Sequence, residues 1–183
     1  DALRLLRAIR FAIELNFNIE EKTLKAIKEK SGLIQMIAKE RIRDEFLKII
    51  QHTPWPKGKR HSNEITEEEL KTGPARAFEL MRETGLLKHI LPEFEDGYGV
   101  SQNKHHIFTV WEHNLRAFTY AVKENFNLYV RLGALFHDIA KPHTKKGEGL
   151  DSTFYGHDVV GGKMTEKIMS RLKFSKKDIE KVV

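Results

Sequence analysis

His137 and Asp138 are adjacent, and Lys141 follows one helical turn later. An imidazole, a carboxylate and a nearby ammonium suit a divalent cation and an anionic substrate. Histidine favours transition metals, whereas aspartate also serves Mg²⁺ or Mn²⁺. Taken alone the dipeptide says little, since most His-Asp pairs are surface or capping pairs. Two further histidines alter that balance. His113 lies in an earlier apolar segment, with His106 two turns before it, and His157 lies in Phe154-Tyr155-Gly156-His157-Asp158. Three segments can thus each bring a ligand to one point, giving His113, His137, Asp138 and His157 as the metal candidates and Lys141 as the catalytic candidate that faces an anionic substrate.

The elements that carry these residues are readable from periodicity. Leu128, Leu132, Leu135, Phe136 and Ile139 recur at helical spacing, which predicts a buried amphipathic helix that Pro142 ends within a residue or two of Ala140. His137 and Asp138 then fall in its last turn. Ile107–Val122 reads as a helix with Val110, His113 and Ala117 on one face. His157 opens a third helix through Val160, Met164, Ile168 and Leu172. Upstream, helices are expected over residues 1–16, through Leu24 and Ile27 to Gly32, over Ala38–Ile50, from the capping-box pattern Thr66-Glu67-Glu68-Glu69, and from Pro74 to Gly85. No alternating strand, repeat or low-complexity tract interrupts them, so the fold class is all-α. Residues 51–64 hold two prolines and a glycine and read as a loop. Trp55 precedes Lys57, Lys59, Arg60 and His61 there, a pairing able to stack a base and hold phosphate but more often a solvated loop.

Composition narrows the classes. The 183 residues suffice for one large or two small domains, and 32% are Asp, Glu, Lys or Arg. Cysteine is absent, so disulfides and thiolate metal sites are excluded and any metal must use histidine and carboxylate. That absence fits a cytoplasmic protein. No apolar run is long enough for a membrane span, and no signal-peptide pattern occurs. The net charge of +6 favours a polyanionic partner such as nucleic acid, though it equally suits a basic domain that is merely soluble. The chain starts at Asp1 in mid-pattern and stops at Val183 inside an amphipathic run, so it is expected to be a piece of a longer protein.

The start carries a second constellation. Asp1 and Arg4 at i, i+3 share one helix face. A carboxylate accepts from an exocyclic amino group, and a guanidinium donates to the neighbouring ring nitrogen. Cytosine and adenine present both groups; uracil and guanine would set a carbonyl against the carboxylate. The alternative is a surface ion pair contributing a few tenths of a kcal/mol.

Two resemblances cover nearly the whole chain. Asp1-Ala2-Leu3-Arg4, continuing Leu5-Leu6-Arg7-Ala8-Ile9-Arg10-Phe11, resembles the Glu-Asp-x-x-Arg helix of bacterial class II tRNA nucleotidyltransferases and poly(A) polymerases. Glu40–Glu45, Leu80–Leu87 and Leu91–Glu93 are similar to later segments of the same enzymes. Asn103, His106, Val110 and His113, then His137-Asp138-Ile139-Ala140-Lys141-Pro142 and His157, resemble the HD superfamily of metal-dependent phosphohydrolases, with Ala140 where that family usually has Gly. Many of those transferases carry such a domain directly after the body.

The resemblance implies neck and body helices over 1–92, an HD domain over 93–183, and a parent that adds C, A or both to tRNA 3′ ends. Asp1, Arg4 and Arg7 become the nucleotide-binding residues for CTP and ATP, with tRNA as partner. A divalent ion such as Mg, Mn or Ni belongs at the HD site, whose further distal Asp is expected beyond Val183. Mg in an upstream palm domain would drive polymerisation; no Asp-x-Asp pair in a strand context occurs here, so this chain is not expected to polymerise. The segment around 51–72 looks inserted relative to shorter versions. Two competitors remain: a stand-alone HD phosphohydrolase acting on nucleotides, and an RNA-binding module with a degenerate HD site.

Overall fold

Apolar residues at helical spacing cannot be buried by one helix alone, and among the described residues twelve short to medium helices close over a shared interior. The computed structural model describes residues 1–55, 64–103 and 107–183. His106 and the basic run Lys57, Lys59, Arg60 and His61 lie outside the described residues.

In chain order the helices are α1 (Leu3–Glu14), α2 (Glu21–Lys30), α3 (Lys39–Gln51), α4 (Glu67–Thr72), α5 (Arg76–Glu83), α6 (Leu87–Ile90), α7 (Pro92–Glu95), α8 (Val110–Lys123), α9 (Leu128–Phe136), α10 (Lys141–Thr144), α11 (His157–Arg171) and α12 (Lys176–Ile179). A 3₁₀ segment, Ser31–Met36, links α2 to α3. No strand occurs among the described residues, only a bridge between Lys146 and Thr153. The all-α class is therefore observed. No helix among them is long and apolar enough to cross a membrane.

Several boundaries follow from local chemistry. Thr66 caps α4 as the sequence predicts: its hydroxyl accepts from Glu69 N at 3.2 Å, and Glu69 Oε2 accepts from Thr66 N at 2.8 Å. The same device, Thr109 with Glu112, starts α8 at Val110 rather than at Ile107. Gly85, at φ 70°, takes the left-handed conformation that ends α5.

One hydrophobic core runs through both halves of the chain. Phe78 of α5 contacts Phe46 of α3, Phe94 of α7 and Phe118 of α8, and Phe94 packs on Trp111. Each of these rings is at most 2% exposed. Polar links reinforce the seam. The Arg171 guanidinium donates to both carboxylate oxygens of Glu93 at 2.5 and 2.7 Å, and Arg43 donates to the Lys173 carbonyl.

Arg131 is the least expected of these links. It is 4% exposed and has no carboxylate partner among the described residues. Its guanidinium donates to the carbonyls of Ile50 and Gln51 at 3.1 Å, to Phe126 O at 2.8 Å, and to Thr53 and Asn125. A helix ends with unpaired carbonyls, so one buried cation on α9 caps α3 and ties it to the helix that leads into the His-Asp pair.

Trp55 does not stand free to stack a base. Its ring lies against Gly73, where a Cβ would come within 2.6 Å of Cη2. The ring packs on the core instead.

Candidate metal centre

Helices α8 and α9 pack side by side, and His113 sits one turn into α8 opposite the end of α9. Helix α9 stops at Phe136, four residues sooner than Pro142 requires. His137 is its C-cap, and the chain continues through tighter turns, with Ile139 N bonded to Phe136 O and Lys141 N to Asp138 O. Pro142 lies in the first turn of α10, where its missing N–H is no loss. The early stop turns Asp138 inward, and it is 3% exposed.

Asp138 is the hub. Its Oδ2 lies 3.4 Å from His113 Nε2, 3.3 Å from His137 Nε2 and 2.7 Å from Lys141 Nζ. Its other oxygen lies 3.5 Å from His157 Nε2. Helix α8, the end of α9 and helix α11 thus bring the three candidate histidines to this one carboxylate. His157 reaches it because Gly156, at φ 75°, turns the chain into α11.

His113, His137 and Asp138 each offer one donor atom, and the three lie within 4.8 Å of one another. The two Nε2 atoms are 3.0 Å apart. Donors set at right angles about one ion, bonded at about 2.1 Å, stand about 3 Å apart, so the spacing fits. The tautomers fit as well. A carbonyl can only accept, so His137 Nδ1 carries the proton it gives to Ala134 O at 2.9 Å, and His157 Nδ1 does the same toward Phe154 O at 2.7 Å. On giving up its Nε2 proton, each ring would offer that nitrogen's lone pair to an ion, as second-shell carbonyls arrange for metal-bound histidines.

The electrostatics agree. Burial alone would push the Asp138 carboxyl up, but hydrogen bonds from His137 and Lys141 hold it well below the usual carboxylate range, so it is ionised. His137 moves the opposite way: burial would push it down, and Asp138 raises it.

Lys141 differs from a lysine waiting for phosphate. It is 6% exposed, and its ammonium already donates to Asp138 and, at 2.7 Å, to Gln102 Oε1. Gln102 in turn donates to the Phe108 carbonyl at 3.1 Å. Sequence reasoning passed over Gln102, and no local pattern marks it. Asp178, which follows closely behind the third helix, accepts from Tyr129 at 2.8 Å. Tyr129 begins α9, eight residues and about 12 Å along the helix from His137.

The start of α1 is a separate place. Asp1 Oδ1 accepts from Leu3 N at 3.0 Å, and Oδ2 pairs with Arg41 of α3 at 2.6 Å. Arg4 is exposed and has no side-chain partner among the described residues, so the i, i+3 ion pair with Asp1 does not form. Arg7 and Arg10 both donate to Glu45, at 3.2 and 2.7 Å. Burial would raise the Glu45 carboxyl, but Lys48, Arg10 and Arg7 hold it down.

Comparison with known proteins places these two regions. Residues 16–61 and 70–97 match a family described as "Probable RNA and SrmB- binding site of polymerase A", and residues 110–183 match the HD domain. The chain is 30% identical to the A-adding tRNA nucleotidyltransferase of Deinococcus radiodurans over 190 residues, covering 99% of the chain and 39% of that protein. It is 29% identical to the CC-adding tRNA nucleotidyltransferase of Thermus thermophilus, over 100% of the chain and 40% of that protein. Identity to the Multifunctional CCA protein of Neisseria meningitidis is 28%, over 96% and 38%. The chain spans about two fifths of the length of these relatives. With an RNA-binding match followed by an HD match, the ligand group lying in the second, and relatives named as tRNA nucleotidyltransferases along its whole length, the chain resembles the region of those enzymes that joins an RNA-binding segment to an HD domain.

Proposed function

We propose that this chain serves a tRNA nucleotidyltransferase that adds C, A or both to tRNA 3′ ends, and that its HD half is a metal-dependent phosphohydrolase centre. Residues 1–92 form the neck and body, which bind tRNA and the incoming CTP or ATP; residues 93–183 form the HD half. The observation that carries the hydrolytic reading is the convergence of His113, His137 and Asp138 donors within 4.8 Å in the segment matched to the HD domain.

His113, His137 and Asp138 would hold a divalent ion such as Mg, Mn or Ni. Bound there, such an ion would supply Lewis-acid activation of water and of a phosphoryl oxygen. The chain does the rest. The Ala134 carbonyl fixes the His137 tautomer. Lys141 is a positioning residue that keeps Asp138 ionised and aimed. His157, on the far oxygen of Asp138, stands at the edge of the group as a further ligand or a phosphate contact.

At the other site, Arg4 is unpaired and free to donate to a cytosine or adenine ring nitrogen, while Asp1 is held by Arg41 with its carboxylate fixed at the helix start. Arg7, braced by Glu45, lies one turn on and completes the nucleotide-binding set. Mg²⁺ for polymerisation belongs with a palm domain, and the natural setting of such an enzyme is the cytoplasm.

The test is hydrolysis of phosphomonoesters and cyclic phosphodiesters by the whole chain with Mn²⁺ or Ni²⁺. Activity should vanish with a chelator and in both His137→Ala and Asp138→Ala. Chelator-resistant hydrolysis contradicts the assignment.

A further inference from the structure

A cavity of about 430 Å³ lies between α4, α5 and α8, and none of the candidate metal ligands lines it. Its volume is in the range of small-molecule sites. Leu80 of α5 and Leu115 of α8, both buried, and the half-buried Leu70 of α4 supply its apolar lining. Glu79 and Glu83 of α5 and Glu112 of α8 stand in the same wall.

Three cations also reach the cavity, and two of them are engaged elsewhere. Arg76 donates to the Phe17 carbonyl at 3.2 Å and to Asn18 Oδ1 at 2.8 Å. Arg116 donates to the Ile65 carbonyl at 2.5 Å and to the carboxylate of Glu67, the fourth acid of the lining. Lys71 is exposed in the last turn of α4. The other carboxylates keep spare acceptors. Glu83 has no partner among the described residues. Glu112 caps α8 through Oε2 alone, which accepts from Thr109 N and Oγ1 at 2.8 Å. Glu79 accepts from Trp111 Nε1 at 2.5 Å through Oε1, while Arg82 reaches its Oε2 only at 3.4 Å.

Anionic acceptors set over leucine side chains fit a cation that carries its own hydrocarbon. The spacing narrows the class. Glu79 and Glu83 are four residues apart on one helix, about 6 Å along its axis. An extended four-carbon chain sets its two terminal nitrogens about 6 Å apart as well.

We infer that this cavity seats a linear aliphatic polyamine with four-carbon spacing, its ammonium groups on Glu79 and Glu83 and its methylenes on Leu70, Leu80 and Leu115. Helix α5 lies in the RNA-binding match and α8 in the HD match, so the bound amine bridges the two halves of the chain. The site is independent of the hydrolytic reading.

The chain holds two tryptophans, and the indole N–H of Trp111 bonds to Glu79, so its ¹⁵N NMR signal reports on the cavity. Titrating the whole, metal-free chain with 1,4-diaminobutane at low salt should shift that signal to saturation. Butylamine has the same hydrocarbon and one charge, and it also stands for the lysine side chain of a protein partner. It should bind about tenfold or more weaker, the loss of one hydrogen bond between ionised groups. Glu83→Gln should weaken the diamine by a like factor, and because Glu83 is exposed the variant keeps its fold. Glu29→Gln, at an exposed position of α2 outside the lining, should leave the affinity unchanged. A ligand that binds only the folded chain also raises its Tm, so the diamine should raise the Tm of the parent chain more than that of Glu83→Gln. A Trp111 signal that does not move, butylamine binding as tightly as the diamine, or an unchanged affinity in Glu83→Gln overturns the site.

Discussion

Asp138 gathers His113, His137, His157 and Lys141, and its ionisation depends on His137 and Lys141. Burial works against the charge, and the His137 and Lys141 hydrogen bonds win. Lys141→Met in metal-free protein should therefore raise the Asp138 carboxyl, read from its carboxyl carbon shift during an NMR titration; an unchanged titration would remove Lys141 from the positioning role. At Arg4 the expectation concerns base choice, measured in a nucleotidyltransferase that includes its palm domain. Arg4→Ala should lose discrimination against UTP and GTP, since a hydrogen bond to an ionised group contributes about 1.5–3 kcal/mol. Arg4→Lys should rescue poorly, because an ammonium lacks the planar fork. Four-nucleotide competition assays that find selectivity intact in Arg4→Ala would refute the template role. At this scale the histidines and Asp138 were legible from type and spacing. The occupation of Lys141 by Gln102 was not, because the two are 39 residues apart and meet only through the fold.

Helix positions were legible where local signals set them. Thr66 with Glu69 marks the start of α4, and the apolar stripe of Leu3, Leu6, Ile9 and Ile13 marks α1. The end of α9 was not, because Pro142 only limits how far the helix can run; the chain tightens directly after Phe136 and so turns Asp138 inward. The 3₁₀ segment Ser31–Met36 likewise has no strong local signature. Arg131 sits in an otherwise apolar run, Leu128–Phe136, and a charge there signals a buried partner without naming the α3 carbonyls. Arg131→Met should destabilise the fold by at least about 2 kcal/mol, since it strands several buried carbonyls at once. Urea unfolding measures this; a change under about 0.5 kcal/mol, the range of neutral surface substitutions, would mean that the cap contributes little.

The whole molecule is one core stitched by charged links between its halves. Burial would raise the Glu93 carboxyl, but the Arg171 hydrogen bonds hold it below its ordinary value of 4.5. A carboxyl lowered on folding contributes stability that is complete above about the unfolded value and is lost as pH falls through the folded one. Glu45 and Glu69 are lowered in the same sense. Acid unfolding should therefore set in below pH 4.5, and Glu93→Gln should flatten that limb; an unchanged acid limb in the variant contradicts the seam. With a net charge of +6, tRNA binding by the chain should weaken steeply with salt, and a flat titration between two salt concentrations would assign the charge to solubility alone. The most direct test of the account is the metal content of the whole chain. Equilibrium dialysis against Mn²⁺ or Ni²⁺ followed by elemental analysis should find about one ion per chain, as for a single three-ligand site, and none in either His137→Ala or Asp138→Ala. Retention of the ion by both variants would contradict the assignment of His113, His137 and Asp138 as its ligands.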